Sequence, residues 1–214
     1  MWRYLIPNSI TSASLLLGLA SAWAALHGDP ELAAWMVVWG VLLDTMDGAA
    51  ARLLRASSAF GAELDSFADF VVFGVAPAAL VASATGSEWA AAVFALATAA
   101  RLARYNVREE DPGAFRGVPT TTCGATVALV WLIFGASGAA VYPWLLLGLS
   151  VAMHSPLRIA KLRPQAGKPV RNAAMGACVL MAYTFGPLRL YPEAILGMVV
   201  LAISAGVLWA PRAE

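Results

Sequence analysis

Long apolar stretches separated by short polar turns make up the pattern of this chain of 214 residues. A helix that crosses a bilayer needs about 20 mainly apolar residues. Windows of that size predict eight hydrophobic spans, at residues 8–27, 31–54, 61–84, 88–107, 119–136, 140–155, 172–187 and 192–210. The last four spans are short, so the pattern supports between six and eight crossings. It predicts an all-α fold, a polytopic bundle of transmembrane helices.

The composition agrees with this class of protein. Hydrophobic residues make up 60% of the chain and charged residues only 13%, whereas a soluble domain carries about 25% charged residues. These fractions exclude a soluble, a disordered or a collagen-like chain. We therefore expect one integral-membrane domain over residues 1–214. Cys123 and Cys178 each lie in an apolar run, where a thiol serves as a small apolar packing group rather than as half of a disulfide.

The positive charges predict which side of the membrane each turn occupies. With the N-terminus in the cytoplasm, thirteen of the 14 Arg and Lys residues fall on the cytoplasmic side, and Arg189 alone falls on the other. The preference for Arg over Lys, with abundant Ala and Trp, is typical of a high-GC prokaryotic genome. We expect a multi-pass protein of a prokaryotic cytoplasmic (inner) membrane, with its N-terminus inside.

The remaining charge pattern bears on partners. The net charge of +1 gives no indication of nucleic acid, and we expect none. The basic run at 158–171 has two interpretations, an anchor at the lipid headgroups or a site that attracts an anionic lipid substrate. Membrane lipids are the partners that both interpretations require.

Four carboxylates interrupt two neighbouring spans. Each Asp near the middle of a membrane helix costs about 2.5–3.5 kcal/mol, so a group of them needs compensating partners. The pairs are spaced i/i+3 and i/i+4, which places each pair on one face of its helix. The short loop at 55–60 makes the two helices antiparallel neighbours. The sequence therefore predicts one pocket, below the cytoplasmic headgroups, that contains Asp44, Asp47, Asp65 and Asp69, with Glu63 close by.

This set of side chains favours hard cations. Carboxylate oxygens without His or Cys suit Mg²⁺ or Mn²⁺ better than zinc. Two divalent ions would balance four carboxylates and could hold a diphosphate for in-line displacement at phosphorus. Gly48 and Gly61 leave room for a ligand close to the backbone, and Arg52 offers a fork for phosphate oxygens.

The spacing of these residues resembles the signature of a known family. The motif Asp44-x-x-Asp47-Gly48-x-x-Ala51-Arg52, eight further residues, and Gly61-x-x-x-Asp65-x-x-x-Asp69 are similar to the signature of the CDP-alcohol phosphotransferases. The resemblance implies a membrane-embedded transferase that depends on Mg²⁺ or Mn²⁺ and has a six-helix catalytic core, usually in a homodimer. Such enzymes move a substituted phosphate from a CDP-linked donor to an alcohol and release CMP.

The resemblance also implies a role for each residue of the motif. The metal ligands would be Asp44, Asp47, Asp65 and Asp69, and Asp69 would also take the proton of the acceptor hydroxyl. The CDP group would lie against Asp47, Gly48, Ala51, Arg52 and Gly61. A carboxylate beside two divalent cations is a plausible base on chemical grounds as well.

Further segments narrow the resemblance to the phosphatidylserine synthase branch. They are 60–69, 73–77, 101–107 and 115–119, with Pro7-Asn8-x-x-Thr11 near the start of the chain. This branch implies CDP-diacylglycerol as the donor and L-serine as the small polar acceptor. Three arginines spaced i, i+3 and i+7 on one helix face are candidates for holding the acceptor, namely Arg101, Arg104 and Arg108.

Two alternatives remain open at this point. Another acceptor is possible, such as glycerol 3-phosphate, inositol phosphate or an aminoalcohol. A phosphorylated acceptor would need a denser cationic pocket, which Arg104, Arg108 and Arg116 with the run 158–171 could supply. The carboxylates could instead form the filter of a divalent-cation channel or transporter, but that interpretation gives no role to Arg52 or to the fixed glycines.

Overall fold

A computed structural model describes residues 2–107, 114–160 and 192–208. Within these residues it contains seven helices and one two-stranded ribbon. In chain order they are α1 (Trp2–Leu26), α2 (Pro30–Leu53), α3 (Ala59–Thr85), α4 (Glu88–Val107), β1 (Ala114–Arg116), α5 (Thr120–Phe134), α6 (Tyr142–His154), β2 (Arg158–Ala160) and α7 (Pro192–Leu208).

The helices agree with the predicted spans. Each described helix overlaps one predicted span, and the predicted span 172–187 lies outside the described residues. By length and composition, four helices could cross a membrane: α1, α2, α3, and α5 with its continuation to Gly138. The prediction of an all-α polytopic membrane protein is confirmed.

Local capping explains where two of these helices begin. The Asp29 side chain accepts a hydrogen bond from the Leu32 amide at 3.1 Å, and Pro30 occupies the first turn of α2. The Ser58 hydroxyl accepts from the Gly61 amide at 3.0 Å and caps α3. The start of α3 is thereby held directly beside the end of α2.

Helix α3 contains an irregular turn that the sequence analysis did not predict. Residues Val71–Val75 form a π-helical turn, closed by the Ala76 amide bonding to the Val71 carbonyl. Pro77, which has no amide hydrogen, follows directly. A proline in the middle of a helix usually kinks or breaks it at its own position. The structure places the irregularity in the preceding turn, where a wider turn accommodates the proline within one continuous helix.

Small residues bring the helices close together around this turn. A Cβ atom on Gly18 of α1 would lie 2.8 Å from Val72 Cγ2, and one on Gly40 of α2 would collide with Val72 Cγ1. A Cβ on Gly124 of α5 would lie 2.7 Å from the Phe73 Cα atom. Because lipid is as apolar as these side chains, close backbone packing holds membrane helices together. The core of the protein therefore lies around the middle of α3.

The ribbon joins two loops that are distant in sequence. β1 and β2 pair antiparallel, with Phe115 opposite Ile159 and Arg116 opposite Arg158. The Gly117 amide then donates to the Leu157 carbonyl at 2.8 Å. Gly117 has a φ of 74°, and a side chain there would collide with the Met153 carbonyl, so this position requires glycine. No pattern in the sequence predicted this ribbon.

Alternation of helix direction collects several helix ends at one end of the bundle. This polar end, as we call it, holds the starts of α1, α3 and α5 and the ends of α2, α4 and α6. Contacts between Thr11 and Asp47 and between Ser66 and Asn106 connect these ends. The ribbon follows the end of α6 and lies at the polar end as well.

Candidate active site

The four aspartates that the sequence singled out lie together at the polar end. One carboxylate oxygen from each of Asp44, Asp47 and Asp65 lies within 4.8 Å of the other two. The Asp69 carboxyl group lies next to that of Asp44. Asp47 is buried, with 4% of its surface exposed, and the other three are half-buried. The helix spacing thus brings two pairs from α2 and α3 into one cluster.

The turn between α2 and α3 sets the relative position of the two pairs. The Ala56 amide donates to the Ala51 carbonyl at 2.9 Å and closes the end of α2. Arg55 takes the left-handed conformation in this turn, with a φ of 50°, at a position that glycine usually fills. The chain reverses within a few residues, so α3 returns along α2.

Helix α1 completes the cluster with a hydroxyl group. The Thr11 hydroxyl donates to Asp47 Oδ2 at 2.7 Å, and Thr11 itself is 4% exposed. This hydrogen bond from the neighbouring helix orients the Asp47 carboxylate.

A cavity of about 160 Å³ opens beside the carboxylates. Its walls come from α1, α2, α3 and the turn between α2 and α3. Residues of the motif that line it are Asp47, Gly48, Ala51, Gly61 and Asp65, and other lining residues are Pro7, Asn8, Thr11, Ala56, Ser57, Ser58 and Ala62. The residues proposed for CDP therefore lie around one space, apart from Arg52, which is exposed next to it.

The two glycines of the motif border this space. A Cβ on Gly61 would lie 3.1 Å from both Asn8 Oδ1 and Ser58 Oγ. A Cβ on Gly48 would lie 3.3 Å from Arg52 Nη1, so the guanidinium folds back over Gly48. A side chain at either position would take space from the cavity or displace a polar group at its edge.

Sequence reasoning gave no role to two residues of α1. Asn8 and Thr11 line the cavity, and Thr11 also contacts Asp47. The available signal was their spacing of i and i+3, which places the two polar side chains on one face of α1. Their partners could not be known from that spacing alone.

A polar bridge next to the carboxylates was also missed. Asn106 at the end of α4 donates to Ser66 Oγ at 3.0 Å and to Glu63 Oε2 at 3.4 Å. Ser66 in turn lies 3.1 Å from Asn106 Oδ1. This bridge fixes α4 against the part of α3 that carries Asp65 and Asp69.

The arginines predicted for the acceptor point into the bundle where they are described. Arg101 is 6% exposed and lies near the thiol of Cys123 on α5. Arg104 Nη2 donates to the Met153 carbonyl at the end of α6, at 3.4 Å. Arg108 lies outside the described residues. Both described arginines belong to the polar end, on the side of α3 where α4, α5 and α6 pack.

The donor set fits hard divalent cations. Four carboxylates in a half-buried cluster repel one another unless protons or cations compensate them. The available ligand atoms are all oxygens, which Mg²⁺ and Mn²⁺ prefer. Asp44, Asp47 and Asp65 offer three such oxygens around one point, and Asp69 extends the cluster through Asp44.

The comparison with known families agrees with this geometry. The sequence pattern of the CDP-alcohol phosphatidyltransferase family matches residues 4–155 of this chain. The chain belongs to the CDP-alcohol phosphatidyltransferase family. The matched residues include nearly all of α1 and the whole of α2 to α6, and so contain the carboxylates and every residue that lines the cavity.

Three relatives carry the name CDP-diacylglycerol–serine O-phosphatidyltransferase. The protein of Helicobacter pylori strain J99 is 38% identical over 138 residues, which cover 61% of this chain and 58% of that protein. The Bacillus subtilis protein is 32% identical over 74% of this chain and 88% of its own length. The Mycobacterium tuberculosis H37Rv protein is 28% identical over 98% of this chain and 79% of its own length. The match therefore spans little more than half of the Helicobacter protein.

Proposed function

We propose that this protein transfers a phosphatidyl group from CDP-diacylglycerol to the hydroxyl group of L-serine, which yields phosphatidylserine and CMP. The observation that carries the proposal is the cavity beside the carboxylates, whose walls include five residues of the family motif. The names of the three relatives support serine as the acceptor.

The CDP group occupies the cavity in this proposal. Gly48, Ala51 and Gly61 leave its walls free of long side chains. Arg52 is exposed beside it and can turn its guanidinium toward the diphosphate oxygens. Asp47 and Asp65 belong to both the cavity wall and the carboxylate cluster.

The carboxylates hold two divalent cations, Mg²⁺ or Mn²⁺. The ligands are Asp44, Asp47, Asp65 and Asp69, and the Thr11 hydroxyl orients Asp47 from the neighbouring helix. Bound cations would neutralise the carboxylates and the charge that develops on the diphosphate. Outer partners such as Thr11 fix the direction of a ligand oxygen.

Asp69 serves as the base for the acceptor. Its carboxylate takes the proton of the serine hydroxyl while the serine oxygen attacks the lipid-linked phosphorus. The bond from that phosphorus to the oxygen of CMP breaks, and CMP leaves with its electron pair. A carboxylate within hydrogen-bonding distance of the hydroxyl is sufficient for this role.

The acceptor enters from the side of α3 that faces α4, α5 and α6. Arg101 and Arg104 lie on that side and are the described candidates for holding the serine carboxylate. We propose Arg108 as a third residue of this site, although it lies outside the described residues.

The cellular arrangement follows from the charge pattern. We propose that the polar end faces the cytoplasm across a prokaryotic inner membrane, since the described arginines of α1, α2, α4 and the ribbon gather there. We also propose a homodimer and a single catalytic domain over residues 1–214.

Purified full-length protein incubated with CDP-diacylglycerol, Mn²⁺ and a panel of alcohols tests the proposal. We expect CMP and phosphatidylserine with serine, and much less product with glycerol 3-phosphate, inositol phosphate or an aminoalcohol. Product formed with another acceptor would show that serine is not the acceptor, while the proposed phosphatidyl transfer would stand. Flux of divalent ions across vesicles that contain the protein, without binding of cytidine nucleotides, would show that the protein is a transporter and not this enzyme.

A further inference from the structure

Helices α3 and α4 contact each other closely at two levels of the bundle. At the polar end, Asn106 donates hydrogen bonds to Ser66 Oγ at 3.0 Å and to Glu63 Oε2 at 3.4 Å. In the middle of the bundle, a Cβ on Gly74 would lie 2.9 Å from Thr98 Cγ2, and Thr98 is fully buried. Helix α4 is therefore fixed against α3 at both levels.

The two contacts have the same spacing on both helices. Ser66 and Gly74 are eight residues apart on α3, and Asn106 and Thr98 are eight residues apart on α4. Eight residues of helix span about 12 Å. The two helices therefore run antiparallel in a register that both contacts share.

The proposed base lies between these two levels. Asp69 is three residues beyond Ser66 on α3, so the matching level on α4 falls between Arg101 and Arg104. The base and the described arginines proposed for the acceptor are thus at one level on two neighbouring helices. Their separation depends on how α4 is held against α3.

The cavity proposed for the CDP group does not depend on α4 in the same way. Its lining residues lie between Pro7 and Asp65, on α1, α2, α3 and the turn between α2 and α3. A shift of the end of α4 would therefore alter the acceptor side of the site and leave the walls of this cavity in place.

Glu63 determines which way the Asn106 amide faces. A carboxylate accepts hydrogen bonds and cannot donate them, so the amide nitrogen faces Glu63 Oε2. The amide oxygen then lies beside the Ser66 hydroxyl, 3.1 Å from Oγ. The bridge formed by Asn106, Ser66 and Glu63 thus has a donor on α4 and a carboxylate acceptor on α3, and a pair of substitutions can exchange them.

We propose that Asn106 is a positioning residue for the acceptor. Through this bridge it sets the distance between Asp69 and the arginines of α4, and it does so without contacting the acceptor. A displacement of about 1 Å can lower a rate about 10²-fold. The inference rests on the proposed function, because Asp69 and the arginines receive their roles there.

Exchange of donor and acceptor across the bridge tests the proposal. Asn106→Asp keeps the size of the side chain but places a second carboxylate beside Glu63, so the end of α4 should move away from α3. Glu63→Gln combined with Asn106→Asp restores a donor opposite an acceptor and also restores the local net charge. Glu63→Gln alone keeps an acceptor oxygen for Asn106 and is the control for the lost charge.

The variants are compared as full-length protein in detergent with Mn²⁺. Asn106→Asp should raise the KM for serine about tenfold, the scale of one hydrogen bond to a charged group. The double variant should return this KM to its original value. The KM for CDP-diacylglycerol and the melting temperature should stay unchanged in all three variants. Binding of labelled serine without CDP-diacylglycerol gives a second readout that needs no turnover.

Removal of the serine hydroxyl gives an independent variant. Ser66→Ala should raise the KM for serine by a smaller factor, because the bond from Asn106 to Glu63 remains. The Ser66 hydroxyl also lies 3.1 Å from the carbonyl oxygen four residues earlier in its own helix. The matched control is Ser204→Ala on α7, whose hydroxyl bonds to the Val200 carbonyl at the same spacing. This control should leave every measured quantity unchanged.

Three results would overturn the proposal while phosphatidyl transfer stands. Failure of the double variant to restore the KM for serine would show that the Asn106 amide contacts the acceptor directly. An equal rise in the KM for CDP-diacylglycerol would show that the bridge supports the whole site. A fall in melting temperature that accounts for the loss of activity would make the bridge a structural contact.

Failure of the proposed function gives a different result. If the unchanged protein forms no phosphatidylserine, the proposed transfer to serine is wrong, and serine binding then decides about the bridge. Weaker binding in Asn106→Asp that the double variant restores would support the positioning role. Absent binding, or equal binding in all variants, would overturn it.

Discussion

Glycines serve opposite purposes in the middle of the bundle and at its polar end. In the middle, Val72 of α3 occupies the space beside Gly18 and Gly40. A Cβ on Gly18 would lie 3.0 Å from the Val72 backbone. At the polar end, Gly48 and Gly61 border the cavity, and a Cβ there would meet the ends of polar side chains at 3.1–3.3 Å. The same residue type brings backbones together in one region and leaves room for a ligand in the other.

This difference separates stability from chemistry along the same helices. Close packing around Val72 holds α1, α2 and α3 together without using polar groups. The polar end collects carboxylates that oppose folding unless they are compensated. Substitutions in the two regions should therefore change different measured quantities.

The largest effect on turnover should come from substitution of the proposed base, Asp69. Asp69→Asn should lower turnover by about 10²- to 10⁴-fold, because a positioned base contributes that much. The melting temperature should stay the same or rise, because one of several clustered carboxylates is removed. CMP release and thermal unfolding in detergent measure the two quantities. Glu88→Gln, at an exposed acid near the opposite end of α4, is the control and should keep full activity. A parallel loss of melting temperature and turnover would make Asp69 a structural residue.

A substitution that adds volume in the middle of the bundle should lower the free energy of unfolding. Gly40→Ala should destabilise the protein by about 1–3 kcal/mol, because its methyl group would collide with Val72 and overpack the core. Gly148→Ala is the matched control on α6, where a Cβ meets nothing within 4 Å. It should stabilise its helix by about 0.5–1 kcal/mol. If thermal unfolding ranked the two variants the other way, the close packing around Val72 would not be what holds these helices.

Substitution of a glycine that borders the cavity should weaken substrate binding. Gly61→Ala should raise the KM for CDP-diacylglycerol about tenfold, the scale of one methyl group in a tight pocket. The melting temperature should change little, since Asn8 and Ser58 can shift by a few tenths of an ångström. Gly197→Ala, at an open position of α7, serves as the control for a glycine change elsewhere. A lower melting temperature with unchanged KM would place Gly61 with the packing glycines.

The smallest effect should come from removal of the Thr11 hydroxyl group, which donates a hydrogen bond to Asp47. Thr11→Val keeps the shape of the side chain but removes the 2.7 Å hydrogen bond to Asp47. We expect the apparent affinity for Mn²⁺ to fall about fivefold, the scale of one hydrogen bond. Thr11→Ser should restore the affinity, and failure of that rescue would show that packing by the threonine methyl group matters instead.

Much of the site could be predicted because its parts are local. The pairs Asp44–Asp47 and Asp65–Asp69 each share a helix face through spacing alone, and the short turn brings the faces together. The roles of Thr11, Ser66 and Asn106 could not be predicted in this way, because each of them bonds to a residue on another helix. Thr11 and Asp47 are 36 positions apart, and Ser66 and Asn106 are 40 apart.

The sequence by itself determined the membrane class, the helices and the identity of the carboxylate cluster. These depend on the solvent preference of each segment and on the repeat of a helix, both of which act between near neighbours. Only the tertiary structure decided which glycines pack against a neighbouring side chain and which border a cavity. It also decided that Arg116 pairs with Arg158 across the ribbon. Such pairings depend on where distant segments come to lie once the helices pack, and no local pattern along the chain contains that information.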